Sequence, residues 1–195
     1  MQKPQRIILA SDISGLGKVA VTAALPLFAI CQLEVTVLPT VLLSSHTGGF
    51  PQVYIEDYTA GMHAFLRQWQ SIGVEFSALV TGYLKSSQQV ESLHAFQKQE
   101  KLPLIVDPIM GDSGKLYQGF DQSYVTSMRT LCQDADLILP NLTEACLLAN
   151  LPYQDKDLTE EFLKTLAQRL NQLGAKKVLL TGLPLGVDQI GIAYF

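Results

Sequence analysis

Apolar and polar positions along this chain fall into short apolar runs that alternate with longer stretches of helical spacing. Residues 6–10 (Arg-Ile-Ile-Leu-Ala) predict a first strand. A polar, glycine-containing stretch at 11–17 leads into an apolar, helix-like segment that runs to about Ile30. Pro26 inside it predicts a kink or an early end. Residues 35–43 predict a second strand, with Pro39 marking an edge or a bend. The polar segment 44–51 reads as a loop. From Ile55, the positions Tyr58, Met62, Phe65, Leu66, Trp69 and Ile72 keep helical spacing until Gly73.

The alternation continues. Residues 76–80 predict a strand ending in Thr81-Gly82-Tyr83, and Ser86 with Gln89 predicts a capping box opening a helix to about Lys101. Leu104-Ile105-Val106 reads as a buried strand. A helix follows over about 122–132, then a strand at 136–140 and a short helix opened by Asn141 and Glu144. Asp157 and Glu160 predict a second capping box, for an amphipathic helix carrying Leu158, Phe162, Leu166, Leu170 and Leu173 and closed by Gly174. Residues 177–180 predict a strand ending in Thr181-Gly182, and 190–195 a final antiparallel strand.

Strands alternating with helices predict βαβ units and a mostly parallel sheet. With right-handed crossovers, the polar segments 11–17, 81–83, 107–114, 141–144 and 181–182 all fall at strand carboxyl ends, along one rim. Nothing in the text marks a linker, a repeat or a low-complexity tract, so the 195 residues read as one domain.

Composition narrows the function classes. The formal net charge of -4 argues against a general nucleic-acid or anionic-membrane surface. The longest apolar stretch, 19–31, is too short to span a bilayer and contains Thr22 and Pro26. Three scattered cysteines, Cys31, Cys132 and Cys146, lack metal spacing and suggest packed thiols in a reducing cytoplasm. The first six residues lack a signal-peptide pattern.

The centre of the candidate chemistry is Val106-Asp107-Pro108-Ile109-Met110-Gly111-Asp112-Ser113-Gly114. Two carboxylates at a strand end can hold hydrated Mg²⁺ against substrate phosphates; equally, Asp107 can cap a turn and Asp112 be a loop acid. The 11–17 segment is either a strand-to-helix turn or a place where backbone N–H groups meet a polar ligand. Its Gly-Leu-Gly-Lys lacks the phosphate-loop spacing. His46 and Thr47 bring an imidazole and a hydroxyl to a loop, whereas His63 and His94 lie in amphipathic helices and read as structural. Asn141 and Glu144 are fully explained as a capping box, yet also suit a metal-bound phosphate. Thr181-Gly182 is a turn or a phosphate contact, and Tyr83 a core cover or a stacking platform.

Together these segments resemble the ribokinase-like superfamily in its vitamin-kinase branch, and within it the pyridoxal/pyridoxine/pyridoxamine kinase family. The matching text is Ser11-Asp12-Ile13-Ser14-Gly15, His46-Thr47-Gly48, Thr81-Gly82-Tyr83-Leu84, Asp107-Pro108-Ile109-Met110-Gly111-Asp112 with Gly114-Lys115-Leu116-Tyr117, and Pro140-Asn141-Leu142-Thr143-Glu144. The resemblance implies an α/β fold, a three-layer αβα sandwich around a central, mostly parallel sheet. It implies ATP-dependent phosphorylation of the 5′-hydroxymethyl group of a vitamin B6 vitamer. Ser11, His46, Thr47 and Tyr83 would line the pyridine pocket, and Asp107 would lie near the ATP γ-phosphate and its cations. Asp112 and Glu144 would organise Mg²⁺ through water, and Asn141 and Thr181 would contact ATP phosphates. A monovalent cation, a cytoplasmic location and a homodimer belong to the same implication.

The chain departs from that pattern in one respect. Family members carry a Gly-[Thr/Ala]-Gly-Asp segment that supplies the anion hole and the catalytic base, and no G-x-G-D occurs in these 195 residues. The resemblance therefore places the catalytic base beyond Phe195. The expectation is a C-terminally truncated domain with little activity of its own and with exposed apolar surface. Two competing readings remain: a hydroxymethylpyrimidine kinase of thiamine biosynthesis, suggested by the S-D-x-S-G start, and a non-catalytic ligand-binding relic of the fold.

Overall fold

A computed structural model describes residues 5–154, 158–186 and 189–195. The backbone divides into two units, Met1–Pro103 and Leu104–Phe195.

In the first unit the strands are β1 (Arg6–Ser14), β2 (Glu34–Leu43), β3 (Ile55–Asp57) and β4 (Ala78–Thr81), in the order β3-β2-β1-β4. β1 is parallel to both β2 and β4, and β3 is antiparallel to β2. Helices α1 (Ala20–Ile30), α2 (Thr59–Ser71) and α3 (Ser87–Glu100) supply the crossovers. Ile8, Leu38, Leu79 and Leu93 are wholly buried, as the predicted apolar runs require. The periodic face of α2 buries Met62 and Leu66. Beside it an aromatic row runs Tyr58–Phe65–Trp69–Phe76, with ring centroids 5.8, 5.8 and 5.5 Å apart.

Several local expectations change here. β1 continues through Ser11, Asp12 and Ser14, which the polar pattern assigned to a loop; all three are buried, so they belong to the strand's carboxyl end. The predicted helix from Ile55 starts at Thr59, because residues 55–57 pair with β2. Pro26 lies within α1 and does not end it. α1 carries no charged side chain and buries only Val21, leaving Leu27 and Ile30 exposed. The bend expected at Pro39 is realised as a register shift, in which Ser11 pairs with Pro39 and Ile13 with Leu42. Ser86 caps α3 by accepting from the Gln89 N–H, but Gln89 does not complete the box; its side chain turns inward to other partners. Cys31 is exposed rather than packed, whereas Cys132 and Cys146 are buried thiols.

In the second unit β5 (Leu104–Val106) runs parallel to β8 (Leu137–Ile138), which bridges in parallel to Val178. Asn141 and Thr181 form a second parallel bridge. Helices α4 (Gln122–Gln133), α5 (Leu142–Ala149) and α6 (Glu160–Leu173) accompany these strands. β9 (Leu179–Gly186) pairs with β10 (Gln189–Tyr194) as the predicted antiparallel ending. β10 leaves Ile190, Ile192 and Tyr194 more than half exposed. Of the predicted capping pair for α6, Asp157 lies outside the described residues; Thr159 caps the helix by accepting from the Phe162 N–H at 3.1 Å.

The segment read as a glycine-rich loop contains a small hairpin. β6 (Gly111–Asp112) pairs with β7 (Lys115–Leu116) across Ser113 and Gly114, whose φ angles of 51° and 76° match a type I′ turn. Across both units the pairing is mostly parallel and the class is α/β, as the alternation predicted. Among the described residues no helix is long and apolar enough to cross a membrane.

Candidate functional site

The second unit gathers polar side chains where β5 and β8 end. Asn141 caps α5: its Oδ1 accepts from the Glu144 N–H at 2.9 Å, while Glu144 Oε2 accepts from the Asn141 N–H at 2.8 Å. The predicted capping box is therefore real, and it also reaches outward. Glu144 Oε1 accepts from the Met110 N–H at 3.2 Å, and Asn141 Nδ2 donates to the Gly111 carbonyl at 2.9 Å. One pair of side chains thus ties the start of α5 to the hairpin that carries Asp112. Thr143, inside the same motif, accepts from the Gly114 N–H at 2.9 Å and closes the tie.

Glu144 is only 3% exposed. Burial pushes its carboxyl up to about 8; backbone N–H groups oppose the shift and the nearby charge of Asp107 adds to it. Burial likewise pushes Asp107 up to about 6. The Tyr117 phenol is raised by burial and then by Glu144, Asp112 and Asp107, so all three acids act on one ring. Among the described residues, however, no three His, Cys, Asp or Glu side chains stand close enough to ligate one ion directly. Asp112 is exposed, and its Oδ1 accepts from the Ser113 N–H at 2.7 Å. Thr181 is half-buried and donates from Oγ1 to the Pro140 carbonyl at 3.3 Å.

A cleft of about 350 Å³ opens here, lined by Asp112, Ser113, Asn141, Thr143, Tyr153 and Gly182 among others. Its volume lies within the usual range for small-ligand sites, and the start of α5 borders it, where a helix favours negative charge. Tyr153 and Thr143 escaped notice in the sequence. Thr143 stood inside a motif already singled out, but an isolated tyrosine after a helix carries no comparable signal. Gly114 is required by its φ and by the Tyr153 ring, since a Cβ there would lie 2.6 Å from Tyr153 Cδ1. Gly114→Ala should lower stability by about 1–2 kcal/mol through that backbone strain. A thermal melt reads it, and an unchanged midpoint would contradict the I′ geometry.

In the first unit Ser11 and Asp12 end β1 beside Gly82, whose N–H donates to the Ala10 carbonyl at 2.8 Å. A Cβ on Gly82 would stand 2.5 Å from Ser11 Oγ, so this approach needs glycine. Ser11 and Ser14 donate to the two oxygens of Asp12, each at 3.3 Å. Thr81 Oγ1 is buried with no hydrogen-bond partner among the described residues. Tyr83 is half-buried; burial, then the charges of Asp12 and Asp57, raise its phenol. Its carbonyl accepts from Thr40 Oγ1 at 2.7 Å. His46 and Thr47 lie on an exposed loop, where the Gly48 N–H donates to His46 Nδ1 at 3.2 Å. The charge of His46 bears on Asp12, so Ser11, His46 and Tyr83 are grouped around that acid, which the sequence offered, with Ser11, as a hydrogen-bonding group for a polar ligand. Its burial is a tertiary property with no signal in a polar S-D-x-S stretch.

Comparison with known proteins agrees with this fold. The family described as phosphomethylpyrimidine kinase matches residues 55–191. A crystal structure of pyridoxal kinase from Lactobacillus plantarum superposes with a TM-score of 0.87 at 38% identity, covering 98% of this chain and 68% of that one. A Bacteroides thetaiotaomicron structure, assigned as a phosphomethylpyrimidine kinase and crystallised with pyridoxal, gives a TM-score of 0.91 at 34% identity, covering 99% of this chain and 68% of that one. A Schizosaccharomyces pombe protein assigned as a pyridoxal kinase is 27% identical over 145 residues, 70% of this chain. The chain spans less than half the length of that curated relative, 45%.

Proposed function

The chain belongs to the phosphomethylpyrimidine kinase family, within the ribokinase-like superfamily that includes the pyridoxal kinases, and from that premise we propose that it serves ATP-dependent phosphorylation of the 5′-hydroxymethyl group of a vitamin B6 vitamer. The observation that carries this reading is the bordering of one cleft by the start of α5, Asp112 and Asn141, with buried Glu144 and half-buried Asp107 feeling each other's charge behind it. A helix N-terminus attracts phosphate, and two neighbouring acids attract a cation. Phosphoryl transfer needs both, because its catalysis is mostly positioning and charge neutralisation.

The donors fit a hard divalent cation. All are oxygens, and Mg²⁺ keeps several waters and takes only one or two protein carboxylates. Asp112 and Glu144 would hold it through water, with Asp107 facing the terminal phosphate. Bound there, the ion would neutralise charge on the transferring phosphoryl group. Asn141 and Thr181 would meet the ATP phosphates. Ser11, His46, Thr47 and Tyr83 would receive the vitamer, with Tyr83 offering a flat, half-buried face. A single domain acting as a cytoplasmic homodimer completes the proposal.

A second reading, a hydroxymethylpyrimidine kinase, draws on the name of the matching family. Calorimetric titration with pyridoxal, pyridoxamine, hydroxymethylpyrimidine and Mg-ATP separates the readings. The expected result is binding of Mg-ATP and of a B6 vitamer in preference to the pyrimidine. Preference for the pyrimidine would move the assignment to the second reading, and binding of neither nucleotide nor heterocycle would remove both.

A further inference from the structure

We propose that Asp12 is a specificity-determining residue whose carboxylate accepts a hydrogen bond from a ring N–H of a protonated nitrogen heteroaromatic substrate. This rests on the reading of the first unit as the substrate pocket, and it names the chemistry by which that pocket recognises its ligand.

The first ground is the position of Asp12 in the sheet. The β1–β2 pairing slips there: Ser11 faces Pro39 and Ile13 faces Leu42, so Asp12 stands against two residues, Thr40 and Val41. The extra residue belongs to β2, which bends there and breaks the ladder opposite Asp12, and bulges recur next to active sites. Asp12 is 6% exposed. A carboxylate so placed loses most of its hydration and needs charged or strongly donating partners.

The second ground is how little it receives. Its two oxygens take one serine hydroxyl each, at 3.3 Å, long for an O–H donor to an anion. Among the described residues no lysine or arginine forms an ion pair with it. Burial accordingly raises its carboxyl, and its own backbone N–H, the two serines and His46 offset that only in part. A carboxylate has about four acceptor sites, and two hydroxyls with one backbone N–H leave room for a further donor.

The third ground is its neighbours. Asp12 acts electrostatically on the Tyr83 phenol and is acted on by His46. An aromatic ring beside a buried acid is suited to a flat, cationic ring, with the face supplied by Tyr83 and the charge by Asp12. A pyridinium N–H and the N–H of a protonated aminopyrimidine share this chemistry. A neutral carbocycle of the same shape lacks it and would leave the acid buried and unpaired.

The test is calorimetric titration of the chain with pyridoxine, with its carbocyclic analogue in which C–H replaces the ring nitrogen, and with hydroxymethylpyrimidine. The expected result is that pyridoxine binds roughly tenfold or more tighter than the carbocycle. In Asp12→Asn that preference should shrink to a few-fold, through weaker pyridoxine binding and carbocycle binding that is equal or tighter, since no buried charge is then left unpaired. If Asp12→Asn fails to give a native near-ultraviolet dichroism spectrum, the wild-type series decides alone, and equal affinity for pyridoxine and the carbocycle overturns the inference. Full retention of the preference in folded Asp12→Asn overturns it as well. If the pyrimidine binds in place of pyridoxine and weakens in Asp12→Asn, the role of Asp12 stands and only the vitamer assignment falls. Binding of none of the three ligands by the wild-type chain overturns both.

Discussion

Replacing Glu144 by glutamine will flatten the pH dependence of stability, and the flattening will be largest between pH 5 and 8. In the folded chain the carboxyl is pushed from its ordinary value of 4.5 up to about 8, chiefly by burial. The folded state therefore holds more protons than the unfolded state across that window. Stability is greatest below the unfolded pKa and falls as pH rises toward the folded one. Asp107, raised to about 6, adds a slope of the same sign at its lower end, and the two acids titrate as a pair. A shift of this size corresponds to a loss on the order of 2–4 kcal/mol. That amounts to roughly 5–10 °C in Tm for a chain of this length. The amide introduced by Glu144→Gln would imitate the protonated acid and carry no titratable charge. The measurement is a pair of melts at pH 5 and pH 8 in metal-free buffer, for the wild type and Glu144→Gln. Parallel changes in the two proteins would show that Glu144 ionises normally. In wild type, millimolar Mg²⁺ should restore stability at pH 8, because a cation near the pair compensates the charge that burial penalises.

The parts of this site that were legible in the sequence are those whose signal is local. Asn141 and Glu144 stand three residues apart before an apolar run, and both hydrogen bonds of the box form. The strand before Asp107 and the helices α4 and α6 follow from runs and periods long enough to be distinctive. What escaped was short or non-local. β3 has three residues and merges with the helical spacing that follows it; β6 and β7 have two each, too few for any period. Ser113-Gly114 was a usable turn signal, since two successive positive φ values are what a two-residue hairpin needs. Burial of Asp12 was out of reach, because a strand end rich in serine reads as a loop unless neighbouring strands are known to cover it. The Ser86–Gln89 spacing misled for a related reason: the local partner for Gln89 existed, but buried groups elsewhere in the fold took its side chain.

Those groups make Gln89 the position in the first unit where truncation should do most damage. Gln89 has no exposed surface. Its Oε1 accepts from the Lys85 N–H at 2.9 Å; its Nε2 donates to the Thr40 carbonyl at 2.8 Å, to Thr59 Oγ1 at 2.9 Å and, more distantly, to Asp57 Oδ1 at 3.4 Å. Thr40, in turn, donates to the carbonyl of Tyr83. One side chain thus ties Lys85 to β2 and to the start of α2, and through Thr40 the backbone of Tyr83 is held in the 82–85 segment. Gln89→Ala takes from the Lys85 N–H its side-chain acceptor, leaves the Thr40 carbonyl with only the Tyr58 N–H at 3.1 Å, and opens a cavity, at a cost of about 3–5 kcal/mol. Gln89→Leu refills most of the volume but none of the hydrogen bonds, so it should recover less than half of that loss. Urea denaturation of the two variants separates packing from polar satisfaction, and a Leu variant within about 0.5 kcal/mol of wild type would deny the network its role, since a loss that small is what a surface substitution gives. Binding supplies the second readout. If Tyr83 meets the substrate ring, Gln89→Leu should weaken pyridoxal at conditions where the protein is still folded, while leaving Mg-ATP affinity as it was. Equal weakening of both ligands would mean that the variant loosens the chain generally and does not act through the segment that carries Tyr83.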